Sequence, residues 1–119
     1  MSSLRQLRVR ELLKREIGES IRREIPIQQA GVITVNDVLP SADFRQALVM
    51  IGFFGTVGQE KAAIKLLQSA RPKIQEHVAR TVILKFTPKL RFEIDDSIER
   101  GNRVMKIIED IEQQKPAGE

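Results

Sequence analysis

GVITVNDVLPSADFRQALVMIGFF, residues 31–54, decides what the rest of the chain can be. In its first part Val32, Thr34 and Asn36 alternate with Ile33, Val35 and Asp37, and β-branched residues dominate, which predicts a strand. Pro40-Ser41-Ala42-Asp43 supplies turn chemistry: a proline that fixes φ, then short side chains that bond their own backbone. The following FRQALVMIGFF is almost wholly apolar, the pattern of a strand lying centrally in a small sheet or covered on both faces. Two such strands across a short turn form an antiparallel hairpin, and a hairpin alone cannot bury its apolar face. Helices on either side must cover it.

The flanks have the required period. From Leu4 to about Glu24, Val9, Leu12, Leu13, Ile17, Ile21 and Ile25 recur at three- and four-residue spacings and predict one amphipathic helix, ended by Pro26. Beyond the hairpin, Gly55-Thr56-Val57-Gly58 reads as a break, and QEKAAIKLLQSA as a helix burying Ala63, Ile64, Leu67 and Ala70. Pro72 interrupts a pattern that resumes with Ile74, Val78 and Val82, so two helices are expected to meet at a kink over Ser69, Ala70, Arg71 and Pro72. Residues 89–95 alternate again, with Leu90, Phe92 and Ile94 facing one way, giving a third strand. A last helix is expected from about Ser97 to Glu112, with Ile98, Val104, Met105, Ile108 and Ile111 inward, before a flexible tail over 113–119. The expected fold class is α+β, with helices packed on one three-stranded mixed sheet in a single domain spanning 1–112.

Composition narrows the function classes. At 119 residues, 41% hydrophobic and 30% charged, the chain resembles an ordinary globular domain, and no apolar run approaches the roughly 20 residues a bilayer span needs. Without cysteine there is no disulfide framework, zinc-thiolate site or thiol nucleophile, which fits a reducing cytoplasm, and the arginine-rich start lacks the apolar core of a secretory signal. The net charge of +4 is unevenly spread. Residues 1–24 hold seven Lys or Arg against four Glu, and residues 71–91 hold six against one, whereas residues 92–119 hold four against eight acids. A cationic surface with an acidic back is the electrostatic footprint of polyanion binding.

The candidate contacts follow from that distribution. Arg8, Arg15 and Arg22 fall seven apart, nearly in line on the polar face of the first helix, with Glu11 placed to pair with Arg15. Arg71, Lys73, Arg80, Lys85, Lys89 and Arg91 begin at the kink, and Arg100 and Arg103 flank Gly101 in the last helix. With five Phe, no Tyr and no Trp, most aromatics are needed for the core, so RNA would be met through its phosphates rather than by base stacking.

Catalytic readings fare worse. Asp96 with Glu99 has capping-box spacing, so Asp95-Asp96 reads as a strand-to-helix joint. The glycines of GFFGTVG match no phosphate loop, since Lys61 lies three residues past Gly58 and is followed by Ala62. His77 is the single histidine, read as a surface or kink-helix residue, so no triad or multi-histidine metal site can be built. No catalytic residue, metal or cofactor is expected. A hydrolase resting on Glu93, Asp95, Asp96 and Glu99 is a weak rival, and a protein-protein interaction module with incidental RNA affinity a stronger one.

The quoted motifs resemble the ribosome-binding factor A family. RVRELLKREIGESIRREI (8–25) looks like its first helix and ITVNDVLPSADFRQALVMI (33–51) like its strand pair. LKFTPKLRFEIDDSIERGNRV (84–104) is similar to its ending, where a Pro, an L-x-F strand, D-x-S and G-x-R-[VI] follow at fixed spacing. The likeness runs over roughly residues 4–108. It implies a type II KH-like fold, α-β-β-α-(kink)-α-β with a C-terminal helix. It also implies a cytoplasmic, monomeric, non-enzymatic protein that binds the free 30S subunit and its 16S rRNA and assists late maturation and rRNA processing, with a ribosome-assembly GTPase as a further partner. Where the family kink is alanine-x-glycine, Ala70-Arg71-Pro72 keeps the alanine and loses the glycine; Met50 and Gly52 stand where Tyr and Ser are common.

Overall fold

The computed structural model describes residues 4–95. The elements are α1 (Leu4–Glu24), a single-turn α2 (Ile27–Ala30), β1 (Val32–Pro40), β2 (Gln46–Phe54), α3 (Val57–Thr81) and β3 (Lys89–Ile94). The expected last helix with its Asp96 cap, Arg100, Gly101 and Arg103, and the tail, lie outside the described residues.

The sheet has the order β1-β2-β3, with β1 antiparallel and β3 parallel to the central β2, so it is mixed as expected. Its near-uniformly apolar middle strand is the sequence signature of that central place. Val38, Val49, Ile51 and Leu90 turn to one face and form a core with Val9, Leu13, Ile17 and Ile21 of α1 and Ala63, Leu67, Ile74 and Val78 of α3. Each large aliphatic side chain fully buried there contributes about 1.5–3 kcal/mol. Both helices thus lie on one face, and Thr34, Leu39, Phe54 and Arg91 are exposed on the other.

Strict alternation along β1 fails at one point. Val35 pairs with Ile51 and Asp37 with Met50, so Asn36 is the extra residue of a β-bulge. Beyond it the core position is Val38, fully buried, three residues after Val35. Asn36 instead accepts from the Thr34 hydroxyl (3.1 Å) and donates from Nδ2 to Asp95 (3.1 Å), crossing over Gly52. A Cβ at Gly52 would stand 2.5 Å from Thr34 Oγ1, so the absent side chain makes room for this polar bridge. Gly31, at φ 69°, is pinned harder, since a Cβ would come within 2.8 Å of the Phe54 carbonyl oxygen.

Two helical expectations change. Leu12 and Ile64 are 37% and 39% exposed, each at the rim of its apolar stripe. The two helices expected to meet at Ser69–Pro72 are one unbroken α3 of 25 residues with Pro72 inside it. The missing proline N–H costs one ladder bond, and Leu67, Ile74 and Val78, buried on either side of it, hold the helix to the sheet. The glycine-flanked break also starts the helix: Thr56 accepts from Gln59 N (3.1 Å) while Gln59 Oε1 accepts from Thr56 N (3.0 Å), a complete capping box.

Candidate nucleic-acid interface

The arginine row on α1 is real as a surface. Arg8, Arg15 and Arg22 are all exposed, about half a turn from the buried Leu13 and Ile17. Arg15 pairs with the adjacent Glu16 (3.2 Å) rather than with Glu11, and Arg22 with Glu19 (3.6 Å). Glu16 is drawn inward because it also serves α3. His77, only 8% exposed, faces Glu16 Oε1 through Nε2 (3.1 Å) and Arg23 Nη2 through Nδ1 (2.8 Å). The single histidine is therefore an interior bridge and not a surface residue. A guanidinium only donates, so Nδ1 must accept from Arg23, which leaves Nε2–H to donate to Glu16.

The cations of 71–91 do not form one patch; α3 divides them. Arg71 donates to the Leu90 carbonyl of β3 (3.5 Å), and Gln75 one turn on accepts from Leu90 N (3.0 Å), so this flank faces the strand. Lys73 instead pairs with Glu24 of α1 (3.8 Å), on the other flank. Arg80, nine residues past Arg71, lies on the opposite side of the helix from it, at about 100° per residue. Lys85, Lys89 and Arg91 stay exposed on the Arg71 side, Arg91 next to Glu93 (3.3 Å).

Around this second group the fold adds residues that a linear reading missed. The Arg45 guanidinium lies 4.5 Å from the Phe86 ring centroid and Lys85 Nζ 5.6 Å from the same ring, while Lys89 N donates to the Arg45 carbonyl (2.9 Å). Arg5 at the start of α1 lies 5.6 Å from the ring of Phe44, next to Arg45 in sequence. Arg5 and Arg45 thus join Lys85 and Lys89 at the end of the sheet where β1 turns into β2 and β3 begins. The signal for Arg45 was the pairing of its neighbour Gln46 with Lys89, visible only once β2 and β3 are known to be parallel. Of the five phenylalanines, Phe44, Phe53 and Phe92 pack against the core, while Phe86 is 44% and Phe54 80% exposed.

The turn carrying Arg45 is rigid. Asp43 Oδ1 accepts from the Ser41 hydroxyl (2.8 Å) and from Arg45 N (3.1 Å), and these bonds, the hydroxyl's first, hold its carboxyl below the usual range. Phe44 takes a φ of 58°, a left-handed conformation unusual for an aromatic residue. Its side chain packs on the core and its N–H donates to the Ser41 carbonyl (2.9 Å), which together hold that conformation.

The two described carboxylates of the rival hydrolase set have other partners. Glu93 faces Arg91, Asp95 accepts from Asn36, and Asp96 and Glu99 lie outside the described residues. Among the described residues no group of three or more His, Asp or Glu could hold a metal ion, and no helix is long and apolar enough to cross a membrane.

A cationic sheet end and an outward arginine row on this α+β frame are accompanied by a sequence match over nearly the whole chain. The family model described as ribosome-binding factor A matches residues 5–108. The chain belongs to the ribosome-binding factor A family. Ribosome-binding factor A of Gloeobacter violaceus is 32% identical over 98% of this chain and 93% of its own length, and that of Opitutus terrae 29% identical over 96% and 93%. Among solved structures, the crystal structure of the Thermus thermophilus family member superposes with a TM-score of 0.66 at 25% identity, covering 74% of this chain and 93% of that one. A Thermus thermophilus model fitted into a cryo-EM map of a 30S complex gives 0.62 at 25% identity, covering 71% and 89%. The Thermotoga maritima solution structure, described as a ribosome-binding factor A by proposal, shares the fold with a TM-score of 0.67, covering 83% and 94%.

Proposed function

We propose that this protein binds the free 30S subunit through phosphates of its 16S rRNA and assists late small-subunit maturation without catalysing a reaction. The observation that carries the reading is the group Arg5, Arg45, Lys85 and Lys89 at one end of the sheet, extended along β3 by Arg71 and Arg91. Family membership supports it, as does the Thermus thermophilus relative described in a complex with the 30S subunit. Cations spread over about a sheet's width match a phosphate backbone better than a small anion, and such contacts give orientation and salt dependence rather than sequence selectivity. Arg8, Arg15 and Arg22, and separately Lys73 and Arg80, are secondary contacts on other faces, and Arg100 and Arg103, outside the described residues, are further candidates. The protein acts as a cytoplasmic monomer, and assistance to rRNA end processing and release by a ribosome-assembly GTPase complete this reading.

The test is cosedimentation with purified small subunits over a range of salt. Arg45→Ala with Lys89→Ala is expected to weaken binding and to flatten the slope of log K against log salt by about one to two. Lys73→Ala is expected to change it by less than about one, because Glu24 already occupies that ammonium. Equal slopes for wild type and the Arg45/Lys89 variant would remove this surface from the interface.

A further inference from the structure

On the side of the molecule away from α3 and β3, a groove of about 810 Å³ runs between α1 and the outer edge of β1. Its floor is apolar, with Ile21, Ile25, Ile33 and Val35, and Lys14, Arg15 and Arg22 stand on its α1 wall beside Glu11. Arg15 and Arg22 hold exposed ion pairs to Glu16 and Glu19 that an incoming carboxylate would exchange. The strand edge along it is open. Ile51 gives its carbonyl to Asp95 N on the β3 side (2.7 Å), so its partner Val35 must turn its own N–H and C=O away from β2. By the two-residue period Ile33 does the same.

Proteins close such edges with charges, prolines or bulges. Here the second half of β1 is closed: the bulge at Asn36 twists it, and Arg10 reaches from α1 to grip Asp37 through Nε (2.9 Å) and Nη2. Residues 32–35, Val-Ile-Thr-Val, carry no such device, and Val32 is 42% exposed. Gly18 widens the groove opposite, where a Cβ would meet only Val35 Cγ2 at 3.9 Å.

We infer that this groove receives an extended acidic segment of a partner protein, which adds as a strand to Ile33 and Val35 and sets its carboxylates against Lys14, Arg15 and Arg22. Main-chain bonds to the open edge supply affinity, apolar side chains at alternate positions fill the floor, and the cationic wall selects acidic flanks. A phosphate backbone would meet the same cations but has no use for unpaired strand amides or an apolar floor. The site is separate from the sheet end that carries the rRNA reading and shares with it only the secondary contacts Arg15 and Arg22, so its test rests on Gly18 and Lys14, which that reading does not use.

The test is hydrogen exchange on the full chain with a ten-residue capped peptide of alternating valine and glutamate. The matched valine-lysine peptide, an oligouridylate of ten nucleotides and a dilution series without ligand serve as comparisons. The acidic peptide is expected to slow exchange of the Ile33 and Val35 amides by about tenfold or more, as new ladder bonds should. Gly18→Leu, which fills the groove, and Lys14→Glu, which reverses its wall, are each expected to weaken that binding at least about fivefold while leaving the melting temperature near wild type. No protection by the acidic peptide, equal protection by the lysine peptide, protection by the oligouridylate alone, or protection that depends only on protein concentration would each overturn the inference, the last in favour of pairing between two copies.

Discussion

His77→Ala removes the most buried polar tie between α1 and α3 among the described residues. His77 is 8% exposed and the Glu16 side chain 13%, so both the ring and the carboxylate have given up most of their water to meet. Two bonds are lost, each to a charged partner, and such bonds contribute about 1.5–3 kcal/mol apiece when the partner is left without a replacement. Arg23 is exposed and regains water at once, so its bond is discounted to well under 1 kcal/mol. Glu16 is not so free, and the vacated ring volume adds a cavity term. The sum is about 2–4 kcal/mol, or a fall in melting temperature of about 8–20 °C for a domain near this size. The assay is urea unfolding followed by circular dichroism, with Glu16→Gln and the double variant completing a cycle. A coupling of about 1–2 kcal/mol between Glu16 and His77 is expected. A loss below about 0.5 kcal/mol for His77→Ala, or additive single variants, would show that the bridge does not join the layers.

Asp37 should give the acid limb part of its shape. The Arg10 guanidinium donates to its carboxylate, with help from Val38 N, and holds it below the usual range. Its contribution is therefore whole above the unfolded-state value near about 4 and is lost as pH falls through the lower folded-state value. Both side chains are more than one-third exposed, so Asp37→Asn should cost only about 0.5–1 kcal/mol at pH 7 and nothing in strong acid, as pH-dependent melting would register. The glycines should split in sign: Gly31→Ala is expected to cost about 1–3 kcal/mol through its positive φ and the Phe54 carbonyl, whereas Gly18→Ala should gain up to about 1 kcal/mol in an α1 position with room. Denaturant midpoints of the two variants on the same side of wild type would contradict this.

Apolar periodicity made the frame legible. The hairpin at 31–54, the stripe of α1 and the alternation of β3 each carry a period that survives in the fold, so the α+β class and the mixed sheet followed from spacing and strand polarity. Three features did not follow. The bulge at Asn36 goes with its bond to Asp95, a partner 59 residues away that no local period reveals. Pro72 looked like a boundary because proline breaks a local ladder, and the packing of Leu67 and Ile74 on either side overrides it. The cationic sheet end escaped because it joins Arg5, Arg45 and Lys89 from three elements, whereas counting charges along the chain put Lys73 and Arg71 together although they face opposite flanks. The helix start at Thr56 was legible in T-x-x-Q, and its flanking glycines masked it.

The most direct measurement is ultraviolet crosslinking of the protein to purified small subunits, with the crosslinked peptides and nucleotides both mapped. Crosslinks to 16S rRNA should concentrate at the end of the sheet that carries Arg5, Arg45, Phe86 and Lys89 and be sparse along residues 32–35. Crosslinks falling only on ribosomal proteins, or on rRNA chiefly from residues 32–35, would contradict the claim that this cationic end is what meets the ribosome.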